Sequence, residues 1–362
     1  MIADFTVGRD GQLEELKHEK LFLYITDYGK LSRNLEKLVA KLQENNIFHY
    51  VHKATGWTDC ASLEKHNRTV DENIDLSNLK EFTIEANPGE SPKGRLIEYQ
   101  KLGVNRISFG FQSLDNSLLK FLDRLHKPDD CIITYNDARD AGFDNINTDM
   151  IFNIPGQSIK TLSNDLKTVS DLGPEHISCY SLTVEKGTTL YNNVSSGKVK
   201  MPDEQLDYDM YKTTASVMSD GDYEQYEVSS YAKKSKQCIH NLHYWNLDPY
   251  LAFGPSAHGF DGQKRWWNHR SLDIYISDIK NNKLPINNSE TLSSKNHYNE
   301  MIMNGLRTSK GIDMKELKSV KGDIDFDKMM LKWPQLTIKN EYLKLANNDF
   351  MLLDEITSDL FI

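Results

Sequence analysis

The sequence predicts an α/β fold built around a parallel β-sheet, because strand and helix patterns alternate over residues 81–185. The four predicted strands lie at residues 81–88, 106–113, 145–152 and 176–185. Each helix predicted between them ends at a glycine shortly before the next strand, at Gly103, Gly142 and Gly173. Glycine favours this position because it enters the left-handed conformation without a Cβ penalty. Short alternating units of this kind form parallel sheets with right-handed crossovers.

The first 75 residues carry a weaker pattern. Apolar runs predict strands at residues 21–25 and 47–51, and helical spacing predicts a helix at 31–42 between them. A strand, a helix and a second strand would begin the barrel that the later units continue.

The regular alternation stops after residue 185. Helices are predicted at 201–221, 271–282 and 296–308, and residues 223–232 alternate like a single strand. The C-terminal stretch predicts a short hairpin that turns at Asn347-Asn348 and then a closing helix. We therefore expect a small helical domain with a wing.

Composition excludes several classes of protein. The 362 residues carry a formal net charge of −10, which argues against a general nucleic-acid surface. The chain starts without a basic and apolar secretory pattern, and no apolar run approaches the length of a membrane span. Its four cysteines are far apart and imply no disulfide framework. A cytoplasmic protein is expected.

Polar residues follow the predicted strands at their carboxyl ends, where parallel α/β folds place their chemistry. They are Glu85, Asn87, Gln112, Ser113, Asp149 and Asn153. From the residues alone, the preferred interpretation of Glu85 is a carboxylate that caps a loop or bonds to backbone N–H groups, and that of Asn87 is turn chemistry after a strand.

Many strings of the chain, taken in order, resemble the oxygen-independent coproporphyrinogen oxidase-like branch of the radical SAM superfamily, and most of all its HemW-type haem chaperones. The resemblance runs from about Asp75 to the C-terminus. The strings include IEANPGE, KLGVNRISFGFQSLD, AGFDNINTDMIFNIPGQS, YEQYEVSSYA, HNLHYW, FGPSAHGF and the closing SDLFI. The fold that it implies is an incomplete (βα)6 barrel followed by a smaller C-terminal helical or winged domain.

The resemblance implies an S-adenosylmethionine side of the barrel, formed by Glu85, Gln112, Arg124 and Asp149. Glu85 matches the family position that contacts the methionine part, and the other three match residues that line the pocket. A buried Arg124–Asp149 ion pair that only stabilises the barrel mouth remains an alternative for these residues.

The string HNLHYW matches the motif that the resemblance associates with haem. It implies that His240 is the metal ligand, with Asn241, Tyr244 and Trp245 completing the motif. His243 and Cys238 lie near enough in sequence to substitute for it, and His258 is a more remote alternative. A zinc site lacks a fourth ligand.

The chain departs from the family at its cluster motif. A [4Fe–4S] cluster in this superfamily needs C-x3-C-x2-C after the first strand, and each thiolate holds one iron. Here none of the four cysteines lies within ten residues of another. We interpret residues 1–75 as an eroded, replaced or frame-altered part of the barrel.

These observations predict a haem-binding chaperone that delivers haem to a haem protein, with no catalytic residue assigned. Two alternatives are an active radical SAM oxidase that uses S-adenosylmethionine and a cluster, and a degenerate inactive relative. The expected divisions are a divergent βαβ part (1–75), a barrel core (76–200), a haem-motif region (201–275) and a helical domain (276–362). A homodimer, and peripheral membrane contact through the recipient, are compatible with this prediction.

Overall fold

A computed structural model describes residues 79–281 and 283–362, together with the short strands β1 (Thr6–Val7) and β2 (Leu13–Glu14). β1 and β2 pair with each other in antiparallel orientation. The strands predicted at 21–25 and 47–51 and the helix predicted at 31–42 lie outside the described residues.

The largest sheet has six strands, and its first four confirm the predicted parallel arrangement. Each of these four strands pairs in parallel with the strand that follows it in sequence, as strands do in a (βα) barrel. Two antiparallel strands complete the order β3-β4-β5-β6-β8-β7. The strands are β3 (Thr83–Ala86), β4 (Arg106–Gln112), β5 (Ile146–Phe152), β6 (His176–Ser181), β7 (Glu224–Glu227) and β8 (Ser230–Ala232).

Helices cover one face of this sheet. Gly103, Gly142 and Gly173 all have a positive φ, between 76° and 99°, which confirms the predicted helix ends. The single helix predicted between β4 and β5 is two helices, because Asp115 caps a short additional one. The helices are α1 (Lys93–Lys101), α2 (Asn116–Phe121), α3 (Pro128–Asp140), α4 (Ile159–Leu172), α5 (Thr189–Ser195) and α6 (Glu204–Asp220).

Alternation along the strands separates an apolar face from a polar face. In β4, Ile107, Phe109 and Phe111 are fully buried in the core that the helices cover. Arg106 and Ser108 alternate with them and face the other side, because successive side chains of a strand point in opposite directions. This second face, the inner face, is polar on β4, β5 and β6.

The stretch 223–232, predicted as one strand, is a hairpin, so that prediction is wrong. β7 and β8 pair antiparallel across a turn at Val228-Ser229. The Glu227 carboxylate accepts a hydrogen bond from the Ser229 backbone N–H at 3.1 Å, which stabilises a turn that contains no glycine or proline.

A short helix and a small antiparallel sheet follow the hairpin. The helix is α7 (Ile239–Trp245), and it contains the HNLHYW string. The sheet has the order β11-β10-β9. The strands are β9 (His258–Phe260), β10 (Lys264–Asn268) and β11 (Ile286–Thr291), and α8 (Leu272–Lys280) lies between β10 and β11 in sequence.

The C-terminal part forms its own apolar core around Tyr298, Ile302, Leu343 and Ile356, as predicted for a helical domain with a wing. The wing is the three-stranded sheet β12-β14-β13. The elements are α9 (Ser294–Leu306), β12 (Ile312–Asp313), α10 (Met314–Lys321), α11 (Phe326–Lys332), β13 (Leu336–Lys339), β14 (Tyr342–Leu345) and α12 (Leu353–Leu360).

The hairpin of the wing turns at Asn340-Glu341, so the predicted turn at Asn347-Asn348 is wrong. Both Asn340 and Glu341 have a positive φ, of 52° and 68°, as a two-residue type I′ turn requires. Asn347 and Asn348 also have a positive φ, but they form a 3-10 turn after β14.

Within the described part of the chain, every helix is too short or too polar to cross a membrane.

Candidate functional site

The inner face of the sheet carries a continuous row of polar side chains. The strand register places Glu85 beside Ser108, Ser108 beside Asn147, and Asp149 beside Ser178. Since neighbouring strands lie about 4.8 Å apart, these side chains form one polar layer, and Ser108, Asn147, Asp149 and Ser178 are joined in it by hydrogen bonds. The predicted residues Glu85 and Asp149 both belong to it.

Asp149 is held by this layer. Its carboxylate accepts hydrogen bonds from Asn147 Nδ2 at 2.8 Å and from Ser108 Oγ at 3.2 Å. Burial raises the pKa of Asp149, while these hydrogen bonds and the charge of Arg106 oppose the shift. Arg106 is the cation whose charge acts on Asp149 here, and it lies on the adjacent strand.

Gln112 ends β4, and Arg124 contacts Asn87, which follows the end of β3. Gln112 is buried and has a φ of 66°, a conformation that a residue with a side chain rarely adopts. Its amide lies so close to Gly110 that a Cβ added there would be 2.7 Å from Gln112 Nε2 and 3.4 Å from Asn87 Oδ1. Arg124 Nη1 donates to the same Asn87 Oδ1 at 3.4 Å. Asn87 therefore contacts Arg124 and lies next to Gly110, as Gln112 does.

The HNLHYW string lies in α7, and a buried carboxylate accepts hydrogen bonds from the start of this helix. Glu81, at the start of the strand segment that leads into β3, is 2% exposed. It accepts hydrogen bonds from the backbone N–H groups of Ile239 and His240 at 3.0 and 3.3 Å. The Cys238 thiol donates to it at 3.6 Å. A negative charge at this end of a helix is favourable because the free N–H groups carry partial positive charge.

His240 lies half-buried on this helix. Burial, with the nearby charges of His243 and Arg106, lowers the pKa of His240 to about 2. The imidazole is therefore neutral at physiological pH, which is the form that binds a metal ion. Tyr244 packs edge-on against His240, with ring centroids 4.5 Å apart, and against Tyr250 at 4.6 Å.

The C-terminal domain holds the other end of α7. Asn304 Nδ2 of α9 donates to the Tyr244 carbonyl oxygen at 3.4 Å. The Arg307 guanidinium lies 4.5 Å from the centre of the Trp245 ring and pairs with the buried Glu227 of β7 at 3.7 Å. The Trp245 indole N–H is buried without a hydrogen-bond partner.

The three alternative ligands differ in their surroundings. His243 Nδ1 lies 2.7 Å from Asp248 Oδ2. Burial raises the pKa of the Cys238 thiol to about 12, which disfavours the thiolate that a metal requires. His258 lies on β9, exposed and stacked on Trp267 at 5.9 Å between ring centroids.

A [4Fe–4S] cluster does not fit the described residues. Cys131, Cys179 and Cys238 are buried and lie on different elements. Within residues 79–281 and 283–362, no three His, Cys, Asp or Glu side chains converge as a metal site would require. Cys60 lies outside the described residues, and one thiolate cannot replace three.

Comparisons with known proteins agree with this architecture. The model of the radical SAM superfamily matches residues 23–169, which extends the likeness well before Asp75. The model of the HemN C-terminal domain matches residues 292–348. The heme chaperone HemW of Lactococcus lactis is 31% identical over 267 residues, which is 74% of this chain and 70% of that protein.

The chain belongs to the HemW-type branch of the radical SAM superfamily. The heme chaperone HemW of Bacillus subtilis is 35% identical, and the alignment covers 70% of this chain and 66% of that protein. A mitochondrial radical S-adenosyl methionine domain-containing protein 1 of Danio rerio is 34% identical, over 67% of this chain and 57% of that one. The aligned part thus spans two thirds or less of these two relatives.

The fold of this chain is similar to that of a solved structure. The structure of the coproporphyrinogen III oxidase HemN from Escherichia coli aligns with a TM-score of 0.71, 17% identity, and coverage of 94% of this chain and 86% of that chain. This likeness establishes the architecture, a radical SAM-type α/β barrel with a C-terminal helical domain.

Sequence reasoning missed the groups that hold the ends of α7 in place, which are Glu81, Tyr226 and Arg307, and it missed His176, which lies behind Tyr226. Glu81 and His176 carry a local signal, because each is a polar residue that alternates with buried apolar residues on a predicted strand. Glu81 lies 158 positions from Ile239 and His176 lies 50 positions from Tyr226, and no local pattern reveals contacts over such separations.

Proposed function

We propose that this chain is a haem-binding chaperone that takes up haem at α7 and passes it to a haem protein. The observation that carries the proposal is the neutral, half-buried imidazole of His240 on a short helix that is anchored at both ends. All seven residues of α7 keep part of their surface accessible, so a flat ligand could approach the helix from solvent.

His240 would hold the iron of haem through an imidazole nitrogen, and Tyr244 would support the ring of His240. Bound haem would supply an iron atom that an imidazole nitrogen can coordinate. Asn241 lies in the first turn of α7, and Trp245 fixes the end of the helix under Arg307. Anchoring at both ends reduces the entropy that α7 would lose on binding.

The inner face supports a retained S-adenosylmethionine site. Glu85 could pair with the α-ammonium of the ligand, and Gln112, Arg124 and Asp149 offer an amide, a cation and an anion for its other groups. Radical chemistry is not part of the proposal, because the described residues and the sequence motif provide no set of three thiolates.

Two separate apolar cores support a division between a barrel part and a C-terminal part. The barrel core and the C-terminal core are separate apolar clusters, and α7 lies between them. We place the barrel core at residues 76–200, the haem-motif region at 201–275 and the C-terminal domain at 276–362. A cytoplasmic location and a haem-accepting partner protein belong to the same proposal.

A haem titration of the tag-free chain tests the function. We expect a saturable Soret band in the wild-type chain and its loss in His240→Ala. His269→Ala is the matched control, because His269 is also half-buried and pairs instead with Asp278 at 3.4 Å. An equal Soret band in His240→Ala would refute the ligand assignment. A wild-type chain without saturable binding would refute the function.

A further inference from the structure

A chain of buried hydrogen bonds runs across the inner face from Asp149 to the beginning of α7. Asn147 Nδ2 donates to Asp149, and Asn147 Oδ1 lies 2.5 Å from His176 Nδ1. His176 Nε2 lies 2.8 Å from the Tyr226 hydroxyl. That hydroxyl in turn accepts a hydrogen bond from the Cys238 backbone N–H at 3.3 Å. The chain thus joins β5, β6 and β7 to the haem-motif helix.

The protons in this chain can be assigned. Burial and the charge of Arg106 hold the pKa of His176 well below its usual range, so the ring is neutral and carries one N–H. The Asn147 amide nitrogen donates to Asp149 and Ser108, which fixes the orientation of the amide. Its oxygen therefore faces His176, and an amide oxygen can only accept. His176 Nδ1 therefore donates to Asn147, and Nε2 accepts from the Tyr226 hydroxyl.

Three consecutive backbone N–H groups at the start of α7 donate hydrogen bonds to buried side chains of the barrel. Cys238 N–H donates to Tyr226, while the N–H groups of Ile239 and His240 donate to Glu81. The first N–H groups of a helix have no partner within the helix. Here the barrel supplies the partners, and His240 is one of the residues whose backbone they fix.

We propose that His176, acting through Tyr226, is a positioning residue for His240. It sets the position of the helix that presents the imidazole, and it ties that helix to Asp149 on the S-adenosylmethionine side of the barrel. This inference rests on the proposed haem function and extends it, since it assigns part of the haem site to residues that do not contact the ligand.

The test removes one oxygen atom from the chain of hydrogen bonds. Tyr226→Phe keeps the ring but leaves His176 Nε2 and the Cys238 N–H without their shared partner. Tyr223→Phe is the matched control. Tyr223 is nearly as buried as Tyr226, at 4% against 2% exposed. Its hydroxyl donates to the Pro174 carbonyl oxygen at 2.7 Å and takes no part in the chain of hydrogen bonds.

Haem affinity is measured for the full-length variants by Soret titration, with hydrogen exchange of the backbone amides of residues 238–242 as a second readout. We expect Tyr226→Phe to weaken haem binding by about fivefold to tenfold, the factor that one lost buried hydrogen bond corresponds to. We also expect faster exchange at residues 238–242 in this variant without haem. Tyr223→Phe should change neither quantity.

Two results would overturn the inference in different ways. If Tyr226→Phe and Tyr223→Phe bind haem equally well while His240→Ala does not bind it, His176 has no positioning role and the haem function stands. If the wild-type chain shows no band that depends on His240, the haem function fails and the positioning role fails with it.

Discussion

Replacing Glu81 with glutamine should destabilise the protein through the start of α7. The carboxylate accepts two backbone N–H groups and a thiol, at 3.0, 3.3 and 3.6 Å. A glutamine of the same size can accept through its oxygen, but its NH2 group is a donor that would face one of these donors. The helix would also lose a negative charge at its N-terminal end.

The size of the effect follows from these contacts. A hydrogen bond to a charged group contributes about 1.5–3 kcal/mol, and loss of an N-terminal cap costs about 0.5–2 kcal/mol. Because one of the accepting contacts survives in glutamine, we expect a loss of about 2 kcal/mol in the free energy of unfolding. That corresponds to a Tm lower by about 3 °C for a protein of this size.

The assay is thermal unfolding of the wild-type chain, Glu81→Gln and a control, followed by circular dichroism. Glu224→Gln is the control because Glu224 is an exposed glutamate at the start of β7. It should melt with the wild type. A Glu81→Gln variant that also melts with the wild type, and whose amides at 239 and 240 exchange no faster, would refute the role of this carboxylate.

Two further predictions concern pH and packing. Burial holds the pKa of His240 at about 2 in the folded protein. Below about pH 6.5 the unfolded chain therefore protonates this ring, while the folded protein keeps it neutral. As the pH falls from 7 to 5, the free energy of unfolding of the wild type should therefore fall more steeply than that of His240→Ala, by up to about 1.4 kcal/mol per pH unit. If urea titrations give parallel curves for the two proteins, the pKa of His240 is not lowered. Gly110→Ala should displace the Gln112 amide and weaken S-adenosylmethionine binding, measured by calorimetry, by about tenfold or more, since overpacking costs about 1–3 kcal/mol. Gly94→Ala is the control, because nothing lies within 4 Å of the added Cβ, and it should bind S-adenosylmethionine like the wild type. If Gly110→Ala also binds like the wild type, Gln112 has room to move.

The parallel strands could be predicted from the sequence because their signals are local. Glycines at helix ends and alternating apolar residues act within a few positions, and Gly103, Gly142 and Gly173 have the expected backbone conformation. The hairpin at Val228-Ser229 was missed because its turn residues carry no glycine or proline. The wing turn was misplaced because Asn347-Asn348 is the stronger turn signal, while Glu341 rarely adopts a positive φ.

The candidate site could be predicted only in the residues that a motif or a strand end marks. His240 and Tyr244 stand in a recognisable string, and Gln112 and Asp149 stand at strand positions that the resemblance implies. Glu81 and Tyr226 act on α7 across the fold, and a contact between residues 81 and 240 leaves no trace in local spacing. The neutral state of His240 also depends on burial, which only the assembled structure reveals.

The proposed function depends on coordination of the haem iron by the imidazole of His240. Pulsed electron paramagnetic resonance of the ferric haem complex, with the protein's histidines labelled with 15N, tests it most directly. We predict 15N coupling to the iron in the wild-type chain, the same coupling in His269→Ala, and its loss in His240→Ala. A coupling that persists in His240→Ala would contradict the assignment and would place the ligand on another histidine.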